Sequence, residues 1–383
     1  MSSDLLITCV YGKQSSTIKI PQNATLIDVF NIVKEQFQMA GDKSLYTLYA
    51  NSEFPIDNRS ASSCFGPQKP KFLFLAKSDM VKLNNTMNNI LPSIVYETTR
   101  LTPAAKSFVI GLQTAINTFE NYSDDETLAN ILSIIPFELI EGLDDEARVV
   151  AITRWFKEDF FHWTKNCRCH CCGSDETKLL NATLPTYEES KWGVSKTELH
   201  KCTICGAITR FPRINSVSKL LETRTGRCGE YANAFTAILR ALGFTVRYVR
   251  DWTDHAWTEY WSEQKQRFVH IDSCENIIDK PMTYESGWGK KLKWIVAVGE
   301  HECVDVTRRY TANYDEVVER RKLEINEGWV QKYIAFKNEQ MMSNISEEER
   351  NEIIKRQQLD NESMKQKREL SSEEQRGRIS GNE

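Results

Sequence analysis

Two short stretches share one form. "CHCCG" places Cys169, Cys172 and Gly173 as Cys-x-x-Cys-Gly, and "CTICG" repeats the form with Cys202, Cys205 and Gly206. Thiolates separated by two residues on a tight turn converge on one cation, and the glycine permits the turn that frees N–H groups to bond sulfur. Two such turns about 30 residues apart supply four thiolates, a complete tetrahedral set for zinc. No ligand position is left for water, so one structural Zn2+ per chain is expected. The chain must therefore fold so that two distant turns meet. Cys167 and Cys171 crowd the first stretch, but only Cys169 and Cys172 reproduce the form of the second, and His170 stays open as an alternative ligand.

The wider cysteine usage agrees. Seven of the 11 cysteines lie between Cys167 and Cys228, and the total is odd. Clustered cysteines in a chain without a visible signal read as metal ligands or catalytic groups rather than bridges. The start "MSSDLLITCVYGK" lacks a basic region followed by a long apolar run, so no secretory signal is expected. No window approaches the roughly 18 apolar residues of a membrane span. The expected compartment is cytoplasmic, with the nucleus also open. A formal net charge of -4 gives no general case for nucleic-acid or membrane binding. At 383 residues, with 40% hydrophobic residues and nine tryptophans, the chain has material for two domains plus tails.

Residues 1–78 read as a self-contained unit. "LLITCVYG" and "SSTIKIP" alternate as strands, "TLIDVFNIVKEQFQM" follows as an amphipathic helix opened by Thr25, and "LYTLYANSEFPID" and "KFLFLAK" supply later strands. The order β-β-α-β-β resembles the ubiquitin-like β-grasp. Without a terminal Gly-Gly, such a unit would dock partners rather than be conjugated. Residues 79–103 read as a linker. Helices are expected at 104–121, 127–134 and 146–161, followed by the cysteine-rich lobe at 163–210. Strands are then expected at 244–250, 255–261, 267–273 and 291–299. Residues 313–383 are highly charged and read as helical or partly disordered.

"TRTGRCGEYANAFTAILRALG" sets Cys228 between two glycines, just ahead of a buried helical run through Ala232, Phe235, Ile238, Leu239 and Leu242. A helix N-terminus favours the thiolate. A cysteine nucleophile needs a base and an orienting group. Among six histidines, His162, His170 and His200 sit near the knuckles and His301 in a polar loop, leaving His255 and His270. His255 starts one strand in "TDHAWTEYW", and Asp272 lies near the end of the next in "RFVHIDS". Alternation puts His270 and Asp272 on one face, so either histidine can serve. Cysteine on a helix start, histidine on a strand and aspartate on the following strand form a papain-like arrangement.

Taken together, "RFPRINSVSKLLETRTGRCGEYANAFTAILRALGFTVRYVRDWTDHAWTEYW…RFVHIDSCE" and the paired knuckles closely resemble the cytoplasmic peptide:N-glycanase family of the transglutaminase-like superfamily, over roughly residues 145–312. The resemblance implies an α+β fold, with a papain/transglutaminase-like core at 104–312 carrying a four-cysteine zinc lobe. It implies Cys228 as nucleophile, His255 as base and Asp272 as orienter, and decides against His270. It also implies that the zinc lobe walls a cleft where Trp163, Glu259, Glu275 and Trp288 contact the first sugars of an N-glycan. The implied substrates are misfolded N-glycoproteins carrying high-mannose glycans. Implied partners are proteasome shuttle receptors or the ATPase that extracts proteins from the endoplasmic reticulum. Outside the core the chain departs from the animal pattern, with neither its ATPase-binding helical module nor its C-terminal mannose-binding sandwich in view.

Overall fold

The computed structural model describes residues 5–76 apart from short breaks, and 102–380 apart from 123–124 and 367–369. The expected linker at 79–103 therefore lies almost wholly outside the described residues. The chain forms two compact units, Met1–Thr99 and Arg100–Glu383.

In the first unit, β1 (Leu5–Tyr11) and β2 (Gln14–Ile20) form a hairpin. Helix α1 (Leu26–Gln36) begins at Thr25, whose hydroxyl accepts from the Asp28 N–H while the Asp28 carboxylate accepts from the Thr25 N–H. Strands β3 (Tyr46–Tyr49), β4 (Glu53–Phe54) and β5 (Lys71–Ala76) complete one sheet, in the order β2-β1-β5-β3-β4. Strand β5 runs parallel to β1, and the other pairings are antiparallel. Leu26, Val29, Phe30 and Val33 of α1 are buried with Ile7, Cys9, Ile18 and Leu48 of the sheet.

In the second unit, α2 (Pro103–Glu120), α3 (Asp125–Ile134) and α4 (Asp145–Trp155) come first. The helix expected to run to residue 161 changes at Phe156–Phe160 into one wide π-turn, a device that re-aims the chain. It delivers β6 (His162–Trp163). A three-stranded lobe follows, β7 (Thr177–Thr183), β8 (Thr197–Cys202) and β9 (Ile208–Pro212). Helix α5 (Val217–Thr223) and β10 (Thr225–Gly226) lead into α6 (Cys228–Ala241). Every residue of α6 from Glu230 to Leu239 is buried, so this is a central helix and not a surface one.

Helix α6 packs on a six-stranded antiparallel sheet of order β14-β13-β12-β11-β15-β16. Its strands are β11 (Val246–Asp251), β12 (His255–Ser262), β13 (Arg267–Asp272), β14 (Ile277–Ile278), β15 (Ile295–Val298) and β16 (Cys303–Asp305). All eight residues of β12 are buried, as a central strand covered on both faces requires. The strand expected at 291–299 starts only at Ile295, where pairing with Asp251 begins.

The charged region 313–383 does not stand apart. Helices α7 (Tyr314–Lys322), α8 (Glu327–Met341) and α9 (Glu347–Lys365) are built into the second unit. Asp360 of α9 is 1% exposed and accepts from the Phe268 N–H (2.9 Å) and the Arg247 guanidinium (2.9 Å). Asn326 caps α8 and breaks what the sequence presents as one continuous helix. Among the described residues, no helix is long and apolar enough to cross a membrane.

Candidate active site

Cys228 is the first residue of α6, where unpaired backbone N–H groups and the macrodipole favour a thiolate. The start of this helix is held from several directions. The Arg227 N–H donates to Glu230 (3.0 Å), and Arg213 grips the same carboxylate with two bonds of 2.7 and 2.9 Å. Glu198 of β8, itself buried, accepts from both Arg213 (3.2 Å) and Arg227 (2.9 Å). Gly226 must be glycine, because a Cβ there would stand 2.3 Å from that of Glu230.

Strands β12 and β13 bring the other two groups in. Their ladder pairs Thr258 with Ile271, and continuing it makes His255 and Asp272 diagonal neighbours. His255 Nε2 lies 2.6 Å from Asp272 Oδ2. Its Nδ1 is buried with no nitrogen or oxygen partner among the described residues, and the Cys228 thiol is the further hydrogen-bonding neighbour of the ring. The electrostatics follow from this geometry. Burial works against the imidazolium, but the Asp272 charge and hydrogen bond outweigh it and push His255 up to about 9. Burial raises the Cys228 thiol, yet the hydrogen bond and charge of His255 reverse the sign and leave it below its ordinary value. Asp272 is held well below the usual carboxylate range by His255, despite its burial.

Two supports of Asp272 were not legible in the sequence. The Tyr284 hydroxyl donates to Oδ2 (2.9 Å), and the Cys274 N–H (3.2 Å) and Sγ–H (3.1 Å) both donate to Oδ1. Tyr284 arrives on the π-turn Thr283–Gly287, and no local pattern announces a residue that acts only through a tertiary contact. His270, the rival base, faces the Tyr284 hydroxyl at 2.7 Å, and burial pushes it down to about 3. It stays neutral and braces the tyrosine.

The four knuckle cysteines also meet. Cys169 and Cys205 lie 3.6 Å apart, as do Cys172 and Cys202, and the four sulfurs fall within 4.8 Å of one another. A tetrahedron of sulfurs at about 2.3 Å from zinc has edges of about 3.8 Å, so the donor set fits a metal ion of that size. Gly173 and Gly206 take φ of +73° and +78°, the left-handed turns that the shared form anticipates. Hydrogen bonds from the Cys172 and Cys171 backbones lower Cys169 to about 6. His170 points at Thr209 (3.1 Å) and is not among the four donors. His255, Asp272 and Cys274 form another close group, but burial and Asp272 hold Cys274 far above its usual value. In this group the Cys274 thiol and the His255 ring are both hydrogen-bonded to Asp272.

The four residues expected to touch sugars divide. Trp163 lies on β6, beside Gly226, and Trp288 sits edge-on to the His255 ring at 4.9 Å. Glu275 follows Asp272 by one turn. Glu259 is the exception and a correction. It is 0% exposed, and its carboxylate accepts from Tyr310 (2.6 Å) and pairs with Arg309 (3.2 Å) and Arg247 (3.5 Å). On the central strand β12 it faces the core, where no sugar reaches.

The transglutaminase-like superfamily matches residues 186–273, and the Rad4 transglutaminase-like domain matches 248–365. The second unit therefore carries a transglutaminase-like domain of mixed helix and sheet. A human peptide-N(4)-(N-acetyl-beta-glucosaminyl)asparagine amidase is 36% identical over 324 residues, covering 85% of this chain and 48% of that protein. The chain is a homologue of these amidases. The counterpart from Macaca fascicularis is 46% identical over 213 residues, 56% of this chain and 32% of that protein. The chain thus spans less than half the length of both relatives. A crystal structure of Rad4-Rad23 crosslinked to an undamaged DNA aligns at 13% identity and a TM-score of 0.44, over 69% of this chain and 58% of that one.

Proposed function

We propose that the chain is a deglycosylating amidase, which hydrolyses the amide joining asparagine to N-acetylglucosamine in misfolded N-glycoproteins or their glycopeptides. One observation carries the reading: Cys228 on the first residue of a buried helix, flanked by a His255 whose other nitrogen is 2.6 Å from Asp272. The name of the related amidases supplies the bond class.

The Cys228 thiolate attacks the side-chain carbonyl carbon, and the N–H groups opening α6 take the developing oxyanion. Protonated His255, steadied by Asp272, gives its proton to the departing glycosylamine nitrogen as the C–N bond breaks. Water then enters, loses a proton to His255 and cleaves the thioester. Asparagine has become aspartate, and the intact glycan leaves as a glycosylamine that later sheds ammonia. The chemistry consumes no redox cofactor.

Cys169, Cys172, Cys202 and Cys205 would hold a structural zinc, which would fix the lobe that carries β8. Through Glu198, β8 anchors the start of α6, so the metal acts on catalysis by holding shape. We read the first unit as a ubiquitin-like docking domain for proteasome shuttle receptors or the extraction ATPase, at work in the cytoplasm and nucleus.

The test is incubation of a denatured high-mannose glycoprotein with the wild-type chain and with Cys228→Ala, followed by mass spectrometry of the modified asparagine. Conversion to aspartate with release of intact glycan, by the wild type alone, is expected. No conversion by folded, metal-replete protein would move a binding-scaffold reading to the front.

A further inference from the structure

The last described segment, Ser371–Ser380, lies across the residues assigned above to the substrate. The Arg378 guanidinium sits over the Trp163 ring at 5.3 Å and over the Trp288 ring at 5.0 Å. Trp288 is the indole that meets His255 on its other side. Glu275 receives the Ile379 N–H on one oxygen (2.7 Å) and the Ser380 N–H on the other (3.0 Å). Ser380 Oγ is 3.8 Å from Cys274 Sγ, next to Asp272. Upstream, buried Glu374 accepts from the Met282 N–H (3.0 Å), and Lys280 pairs with Glu373 (3.2 Å). At Gly287 the absent side chain makes room, since a Cβ there would come 2.1 Å from the Arg376 carbonyl oxygen.

We propose that Ser371–Ser380 is a strap held in cis across the candidate cleft, and that it must leave before the sugar end of a glycopeptide can occupy Trp163, Glu275 and Trp288. The inference rests on the amidase reading for what the cleft takes. The binding chemistry is legible by itself. A carboxylate that captures two successive backbone N–H groups holds a turned main chain, whose neighbouring N–H groups face one side, and paired indoles take a guanidinium by cation–π contact. The strap therefore sets a guanidinium and two N–H groups on the residues that the amidase reading gives to sugars.

The segment is fastened in a way that allows release. Beyond a short turn at Ser372–Gln375 it has no regular structure, and its one large apolar side chain in the cleft region, Ile379, is 46% exposed. Polar contacts hold it more than apolar burial does, and such segments open at low free-energy cost. An intramolecular occupant weakens apparent affinity in proportion to the fraction of time it is bound, without altering the chemistry once it has left.

Two variants test this, a chain ended after Gln366 and the full chain with Arg378→Ala. Activity on a denatured glycopeptide should show KM lowered about tenfold with kcat unchanged. A fluorescein-labelled peptide of the sequence SSEEQRGRIS should bind the shortened chain by anisotropy, bind it much more weakly with Glu275→Gln, and bind the full chain little. Glycan release at equal KM by all three chains, with no peptide binding, would overturn the strap and leave the amidase reading standing. Peptide binding to the shortened chain, without deglycosylation by any of the chains, would support the strap and sink the amidase reading. If both variants melt well below the wild type and lose kcat, the segment is a structural brace and the proposal fails.

Discussion

Burial by itself would keep the Cys228 thiol protonated, and it is the imidazolium beside it that reverses the sign. The pair should hold a larger thiolate fraction than an isolated cysteine does at the same pH. Alkylation of Cys228, followed peptide by peptide in a mass spectrometer, should stay fast near pH 7, where an unperturbed thiol of pKa about 8.5 is mostly protonated. Activity should fall as pH rises through about 9, because His255 then loses the proton it must give to the leaving nitrogen. The same residue bears on stability. Its folded value lies above the ordinary 6.5, so its contribution is complete below 6.5 and disappears as pH climbs through about 9. Asp272 works in the opposite direction: lowered in the fold from 3.8, its contribution is present above 3.8 and is lost as pH falls below that value. Asp272→Asn should preserve the fold and cut kcat by roughly a thousandfold to ten-thousandfold, the usual effect of a wrong imidazole tautomer. Tyr284→Phe removes one of several donors to Asp272, and a loss of about 1 kcal/mol, or roughly fivefold in kcat, is expected. An effect of Tyr284→Phe as large as that of Asp272→Asn would mean the hydroxyl acts on substrate directly.

The elements are coupled through their ends. Strand β8 finishes in the knuckle at Cys202 and carries Glu198 near its start, and Glu198 holds the two arginines that fix the start of α6. Stripping the proposed zinc with a chelator should therefore loosen β7, β8 and β9 first and disturb Cys228 as a consequence. Activity and circular dichroism should decline together during chelation and recover together when zinc is returned. Lost activity with an unchanged spectrum would give the metal a chemical role instead. Gly226→Ala sets a methyl against Glu230 at the same junction and should destabilise the chain by about 1–3 kcal/mol, as other overpacked positions do. Urea denaturation would read this directly.

At the scale of the whole molecule, α9 of the charged C-terminal region is held through a buried ion network at Asp360, while α8 buries Trp329, Val330, Tyr333 and Ile334. Arg247, 0% exposed, bonds Glu302 twice at 2.8 Å and meets both Glu259 and Asp360, and Arg309 joins through Asp360. Asp360→Ala would remove the carboxylate shared by two buried guanidinium groups, leaving Arg247 to Glu302 and Arg309 to Glu259. The expected cost is about 3–5 kcal/mol, visible in the urea midpoint. The network explains the misreading of Glu259. The resemblance gave Glu259 to the sugars from a matching position, and a matching position does not report burial. Its partners, Arg247, Arg309 and Tyr310, arrive from β11 and from the segment after β16.

Local chemistry was written in the sequence where one residue's neighbours in the chain are also its neighbours in space. The knuckle glycines, the Thr25 cap, the buried run of α6 and the alternation of β12 and β13 all belong to this kind. Each depends on spacing of a few residues, and spacing is what a sequence displays. The meeting of Cys228 with His255, the Tyr284 and Cys274 bonds to Asp272, the burial of Glu259 and the lie of Arg378 between two indoles were decided only by tertiary structure. They join residues many positions apart, and their free energy comes from desolvation and geometry that exist only after the sheet has closed around α6.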